Sequence, residues 1–539
     1  MIPLLLVWLR AAGLVGQSVA LGGAAFALIV LRPGRRGCPP GARDRTLALT
    51  AFGALLAAAA QAGGLLALAA ALADDGGWPL AAVLGSTTGV AGLIRITMAA
   101  GAALASLALR RVPESRTRGV VLFVTTVLLA FTGALASHSA GRMGGRPWLV
   151  GLDALHHAAA GIWVGGLICA AVVVVRAKVH PGEGWLRPFS GLAASAVAVL
   201  ALTGAALSIE FVAAPAAALG TSYGAMVLTK IALFAALLAM GALNYRALRA
   251  PLDSVDGPPS RSARATVLPV RAGSIVWPRR LEVEAGLAIV TVLLAASVGS
   301  APPAVDVRAE RATLDEVRRV FTPGWPRLTA PTLAELATAS ALGDAEAPHT
   351  AEDTAWSEFG HHVAGLFILA MGLLAMLERS GRAPWARHWP LLFVGLTGFV
   401  GWNMDPEGWQ TGRVGFWEHL LGLEVLQHRI LLALTALLGL AEWRVHSGRD
   451  PESRWRYVFP FVCIAAGALL LTHAHDVNDA KFAFMMEISH LPLALVILVA
   501  GWARWLELRL PAPENVVPGR LWAPALALFG LLLVLYREG

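Results

Sequence analysis

Long stretches of this chain carry no charge at all. Leu47–Ala73 and Val120–Ser137 contain no Lys, Arg, Asp or Glu. About 20 apolar residues in a helix span the hydrocarbon core of a bilayer. In lipid the backbone N–H and C=O groups find no water, so each spanning segment must satisfy them within its own helix. Only 14% of the 539 residues are charged, against about 25% in a soluble domain. The alternation of a membrane β-barrel is not seen. The expected fold is all-α: a polytopic helical membrane protein of about fourteen transmembrane helices in two bundles. The spans are expected near 4–31, 47–73, 80–109, 119–137, 150–175, 188–214, 223–247, 282–300, 358–377, 388–403, 417–441, 457–474, 482–503 and 521–536, the tenth being the shortest.

The basic residues set an orientation. One set of alternate loops holds 29 of the 43 Lys and Arg; the opposite set, with the C-terminal tail, holds ten. The positive-inside rule puts the rich set in the cytoplasm and both termini on the other side. The expected location is the bacterial inner membrane, with periplasmic termini and the lipid bilayer as solvent. The formal charge of +8 lies in these short loops, so it points to topology and not to nucleic acid. Met1–Leu31 reads as a first span, since no small-residue cleavage site follows its apolar core. Cys38, Cys169 and Cys463 are far apart and form no CxxC, so no disulfide framework is expected. No P-loop and no aspartyl-phosphate motif occurs, so a primary ATP-driven pump is not expected; taken as a whole, the chain is not expected to be an enzyme.

The domains expected are a three-span region over 1–118, a four-helix module over 119–250, a connector with the eighth span over 251–300, a loop over 301–357 and a six-span domain over 358–539. Pro251–Arg280 reads as a flexible link, and the loop as holding a short amphipathic helix around Ala309–Val320.

Ten of the fourteen histidines lie at or near the arginine-poor face: His138, His156, His157, His361, His362, His419, His428, His473, His475 and His490. Neutral imidazole is a strong ligand for copper and zinc. The stretch Ser137–Leu167 holds the first group. His138 ends the fourth span; Asp153, His156 and His157 lie in the first turns of the fifth. Asp153 and His157, four apart, share a helix face, and a carboxylate beside an imidazole fixes its tautomer. Met143 is a candidate thioether ligand. The alternative is that these are interfacial histidines bonded to backbone, with Trp148 and Trp163 as belt residues. Deeper polar residues are read as structural. Arg95 and Gln61 are expected to pair with each other or with Glu210, and Lys230 is expected to be structural.

The segment D-x-x-H-H-A-A-A-G-I-W-V-G-G-L, from Asp153 to Leu167, resembles the signature of the copper resistance protein D family (CopD/PcoD). Downstream, Phe189-Ser190, Leu202-Thr203-Gly204, Tyr223-Gly224, Lys230 and Asn244-Tyr245-Arg246 also resemble that family. The resemblance marks 119–250 as a CopD-like module. It implies an inner-membrane protein that moves copper, partnered by a periplasmic copper carrier protein. It further implies metal positions at His138 and His156, with His157 beside them.

The second group lies in the last six spans. His361 and His362 open the ninth span. Glu424, His428 and Arg429 lie within the eleventh, where ionisable groups are costly and point to function. His473 and His475 end the twelfth, and Glu487 and His490 lie three apart in the thirteenth. The mix of imidazole and carboxylate suits Cu(II) or Zn(II); the alternative is a hydrogen-bond network joining helices. The expected metal residues are thus His138, His156, His157, His361, His362, His428, His473, His475, Glu487 and His490. The expected function is copper handling, with import across the inner membrane. A haem b-binding cytochrome, with axial histidines from facing helices, and a metal-free scaffold stand as alternatives. His180, His388 and His446, set among arginines, read as surface residues.

Overall fold

The structure is a computed structural model. It describes residues 2–73, 77–177, 184–249, 263–332, 335, 351–403, 423–448, 453–472 and 480–538. Those residues are predominantly helical, with no strand among them. In chain order the helices are α1 (Ile2–Ala25, running on as a π-helical turn, Phe26–Val30), α2 (Ala42–Ala71), α3 (Leu80–Gly85), α4 (Thr87–Arg111) and α5 (Arg116–Ala134). Next come α6 (His138–Gly141), α7 (Arg146–Ala160), α8 (Gly166–Ala177), α9 (Arg187–Phe211), α10 (Pro215–Gly220), α11 (Ser222–Arg249) and α12 (Ala263–Val298). The remainder are α13 (Leu314–Val320), α14 (Ala351–Arg379), α15 (Leu392–Asn403), α16 (Leu423–His446), α17 (Val458–Leu471), α18 (Ala480–Arg509) and α19 (Val516–Val534).

Among the described residues, twelve helical segments are long and apolar enough to cross a membrane, and the chain is a multi-pass helical membrane protein. Two of the fourteen expected spans are not among the twelve. The tenth, 388–403, is a 3-10 segment, Pro384–Leu391, followed by the 12-residue α15. Pro384 and Pro390 supply no N–H there, which delays the start of the regular helix to Leu392; the described residues of this span stop at Asn403. The eleventh, 417–441, is described only from Leu423, where α16 begins. The link expected over Pro251–Arg280 is helical from Ala263 onward.

Helix starts follow their capping residues. Ser86 accepts from the Gly89 N–H at 3.0 Å, and Ser115 from that of Arg118 at 3.4 Å. Thr313 and Glu316 form a reciprocal capping box at α13, the short helix expected in the long loop. Each device satisfies N–H groups that the first turn leaves without a partner.

The chain divides into two compact units, residues 2–215 with 226–306, and residues 216–225 with 307–539. In the first, α1 is the central helix, packed on α2, α5, α12 and the α7–α8 pair. Small residues permit the closest crossing. A Cβ on Gly165 would collide with the Ser18 carbonyl of α1. Gly165 of W-V-G-G-L therefore serves backbone approach, and Gly166 makes room for the Phe189 ring. The second unit is built on an aromatic core. The Trp389 and Phe459 rings meet edge to face at 6.2 Å, and Phe459 meets Trp522 at 5.3 Å.

Candidate functional site

In the first unit, α7 carries Asp153, His156 and His157, and the two imidazoles face different neighbours. His156 Nδ1 lies 3.0 Å from the Thr203 hydroxyl of α9. The Thr203 hydroxyl also lies 2.7 Å from the Val199 carbonyl and 3.2 Å from that of Leu200. With its proton on either carbonyl it accepts from the His156 Nδ1–H, and the ring keeps its lone pair on Nε2. A tautomer fixed in this way is how proteins orient metal-binding imidazoles. Gly204 leaves room for the ring: a Cβ there would lie 3.2 Å from His156 Cε1.

His157 belongs to a second network. Its Nδ1 lies 3.5 Å from Gln17 Nε2 of α1, and its Nε2 lies 3.7 Å from Asp153 Oδ1. Gln17 Oε1 accepts from the Arg95 guanidinium at 3.2 Å. Arg95 is thus held by Gln17, which corrects the expected pairing with Gln61 or Glu210. Gly133 of α5 opens the space. A Cβ there would lie 2.9 Å from Arg95 and 3.1 Å from His157 Nδ1. The Arg95–Gln17–His157–Asp153 chain crosses from α4 through α1 to α7 and ties three helices together.

His138, at the start of α6, packs beside Phe211 with ring centroids 6.3 Å apart. Burial, together with the Arg10 and Arg142 charges, holds its pKa below the usual 6.5 against the opposing Val298 carbonyl and Asp153. It is therefore neutral at pH 7, the form that binds a metal. The chain does not gather His138, His156 and His157 around one point. Met143 is fully exposed. Lys230 is half-buried on α11.

In the second unit α14 and α18 bring His361 and His490 together. Their rings meet edge to face with centroids 5.8 Å apart. Tyr536 stacks on His361 at 4.1 Å and touches His490 at 5.5 Å. Each Nδ1 is tied to its own helix: His361 to the Ser357 carbonyl at 2.9 Å, His490 to that of Met486 at 2.7 Å. Carbonyls only accept, so each ring is protonated on Nδ1 and bears its lone pair on Nε2. Burial, with the Glu538 and Glu358 charges, pushes the Tyr536 phenol well above its usual 10. The ring beside the imidazoles is neutral.

His362 differs. Its Nδ1 accepts the Arg327 N–H at 2.7 Å, and its Nε2 donates to the Tyr536 carbonyl at 2.8 Å. Both nitrogens are committed to backbone, which leaves no lone pair for a metal in this conformation. Glu487 lies one turn before His490 on α18. The side chain of His428, and His473 and His475 entirely, lie outside the described residues. Among the described residues no three His, Cys, Asp or Glu side chains stand close enough to enclose a metal ion.

A cleft of about 790 Å³ adjoins the imidazole pair, lined by Glu316, Arg327, Glu358, His362, Lys481 and Tyr536 among others. Tyr536 belongs to both features. Lys481 pairs with Glu316 at 2.6 Å, and Arg327 with Glu358 at 3.5 Å. Bonds from Lys481 and from the Thr313 N–H and hydroxyl hold the Glu316 carboxyl down to about 2.

Sequence reasoning missed Gln17, Thr203 and Tyr536. Gln17 left the one available signal, a polar residue inside an otherwise apolar span. Thr203 fell in a segment noted for its family likeness and not for a contact.

The fold and these sites define a multi-pass helical membrane protein with imidazoles oriented by hydrogen bonds. Residues 183–298 match the family model of copper resistance protein D. No curated protein and no solved structure matches the chain. The matched segment overlaps the expected module over 183–250 and runs on through α12. It contains Thr203-Gly204, which seat the His156 ring, and starts beyond the D-x-x-H-H stretch that carries the imidazole.

Proposed function

We propose that this protein handles copper in the inner membrane, taking it up at the arginine-poor, periplasmic face and passing it inward. The observation that carries this reading is the convergence of His361 and His490, 129 residues apart in sequence, with both Nδ1 protons locked onto backbone carbonyls. Copper here is cargo. Two nitrogen donors bind it less tightly than an enclosed three- or four-ligand site, and passage requires binding weak enough to release. His156 offers the same kind of Nε2 donor in the first unit. A periplasmic copper carrier protein is the proposed source, and the cleft beside Tyr536, with charges of both signs, is where it would dock. The match of 183–298 to a copper-resistance family supports the choice of metal. No feature among the described residues is specific to haem.

Copper accumulation by cells expressing the full chain tests this reading. Cells with the wild type should hold more copper than cells with His361→Ala/His490→Ala at equal membrane abundance. Less copper with the wild type would reverse the direction, and equal copper would remove the transport role.

A further inference from the structure

The opposite end of the second unit carries a polar cluster that copper capture does not use. Glu378 lies about 25 Å from His361 along α14, at 1.5 Å per residue. His446, past the end of the expected eleventh span, stands between two carboxylates. Its Nδ1 lies 2.8 Å from Glu378 Oε1 and its Nε2 3.2 Å from Glu442 Oε1. The cluster extends through Arg504, which bonds Glu442 at 3.4 Å and Glu507 at 2.6 Å, to Arg379, which pairs with Glu507 at 2.6 Å. Trp389 Nε1 donates to the other oxygen of Glu378 at 3.0 Å. The Arg379 and Arg504 guanidiniums both lie over the Trp522 ring. Glu442 is fully buried, and the His446 side chain is only 14% exposed. The reading of His446 as a surface residue is therefore overturned.

Proton counting decides what this geometry needs. A neutral imidazole has one N–H and one lone pair. Between two ionised carboxylates it would turn that lone pair onto a carboxylate oxygen. Both short contacts are satisfied only if the trio holds one further proton, on the ring or on a glutamate. The charge count agrees. The three carboxylates of Glu378, Glu442 and Glu507 face two guanidiniums, and one extra proton brings the set to neutrality, as burial of charge demands.

We propose that His446, Glu378 and Glu442 form a proton-binding site at the arginine-rich end of the second unit, whose bound proton clamps the ends of α14, α16 and α18. The groups facing it are Glu378 and Arg379 from α14, Glu442 from its own helix, and Trp389 from the 3-10 segment. Cys463 faces it from α17, and Arg504 and Glu507 from α18. Burial opposes the imidazolium, but the hydrogen bonds and charges of Glu378 and Glu442 outweigh it and raise the His446 pKa to about 9. The sign follows. The folded-state value lies above the ordinary 6.5, so the clamp contributes fully below pH 6.5 and is lost as pH rises through about 9.

Histidine C2–H deuterium exchange, followed by mass spectrometry on the full chain in detergent, reads this titration directly. The peptide holding His446 should titrate with a midpoint near pH 9, and Glu442→Gln should lower that midpoint. A wild-type midpoint at or below 7 overturns the proposal. Thermal unfolding gives a second readout. The melting temperature of His446→Gln should fall furthest below wild type at pH 6, and the two curves should merge above pH 9. A difference that stays constant from pH 6 to pH 10 overturns it. If His446→Gln does not fold, the wild-type exchange midpoint decides alone.

Discussion

His156 Nδ1 lies 3.0 Å from the Thr203 hydroxyl, which reaches the Val199 carbonyl at 2.7 Å and, with its own proton there, accepts the imidazole N–H. One hydroxyl on α9 thereby fixes which nitrogen of a ring on α7 keeps a lone pair.

Replacing that hydroxyl tests its role. Thr203→Val preserves shape and leaves the His156 N–H without its acceptor, at a cost of about 1–3 kcal/mol. Loss of the orienting partner should also weaken copper binding about 10–100-fold. Thr203→Ser should preserve both. Chemical denaturation and copper titration of the three proteins measure the two effects separately.

Gly133 makes room for the Arg95–Gln17–His157 network. Its missing Cβ would lie 2.9 Å from Arg95 and 3.2 Å from Gln17 Oε1. Gly133→Ala should destabilise the protein by about 1–3 kcal/mol through crowding, with a lower thermal midpoint. An unchanged midpoint would mean that the network yields without cost.

His361 and His362 are neighbours whose rings are held differently. His362 bridges the Arg327 N–H and the Tyr536 carbonyl, so His362→Ala should cost about 1–3 kcal/mol for each buried group left without a partner. Copper stoichiometry should not change. Loss of copper in that variant, with the melting temperature unchanged, would contradict the geometry.

The Glu316–Lys481 pair joins α13 to the start of α18. The Glu316 carboxyl is held down to about 2 from the usual 4.5. A depressed folded-state pKa contributes stability above 4.5, and that contribution is lost as pH falls through about 2. Amide exchange across Leu314–Val320 should therefore lose protection between pH 5 and pH 3.5 in the wild type. Lys481→Gln, whose Glu316 carboxyl is held down less, should be less protected at pH 5 and should lose less on acidification. If both proteins show the same protection at pH 5 and lose it equally, the pair does not anchor this helix.

The spans were legible because an uncharged run long enough to cross a bilayer has few other folds open to it. Pro384 and Pro390 make the start of the tenth a 3-10 segment, an effect local enough to be legible in the sequence. The sites were legible only as residue types near helix ends. Asp153 and His157 could be paired because four residues on a helix make one face. Thr203, 47 residues from His156, could not be, since that contact depends on how α7 packs on α9. His446 was misread for the same reason. Its sequence neighbours include Arg444 and Arg449, but tertiary packing sets Glu378, 68 residues away, against its ring.

Copper bound per chain, measured on the purified full-length protein and on His361→Ala, His490→Ala and the double variant, tests the central claim most directly. The wild type should bind copper through nitrogen donors visible by X-ray absorption. Each single variant should lose that signature at the second unit, and the double variant should lose no more than either single one, because the proposed site needs both rings. Full copper occupancy with an unaltered nitrogen shell in the double variant would contradict the account.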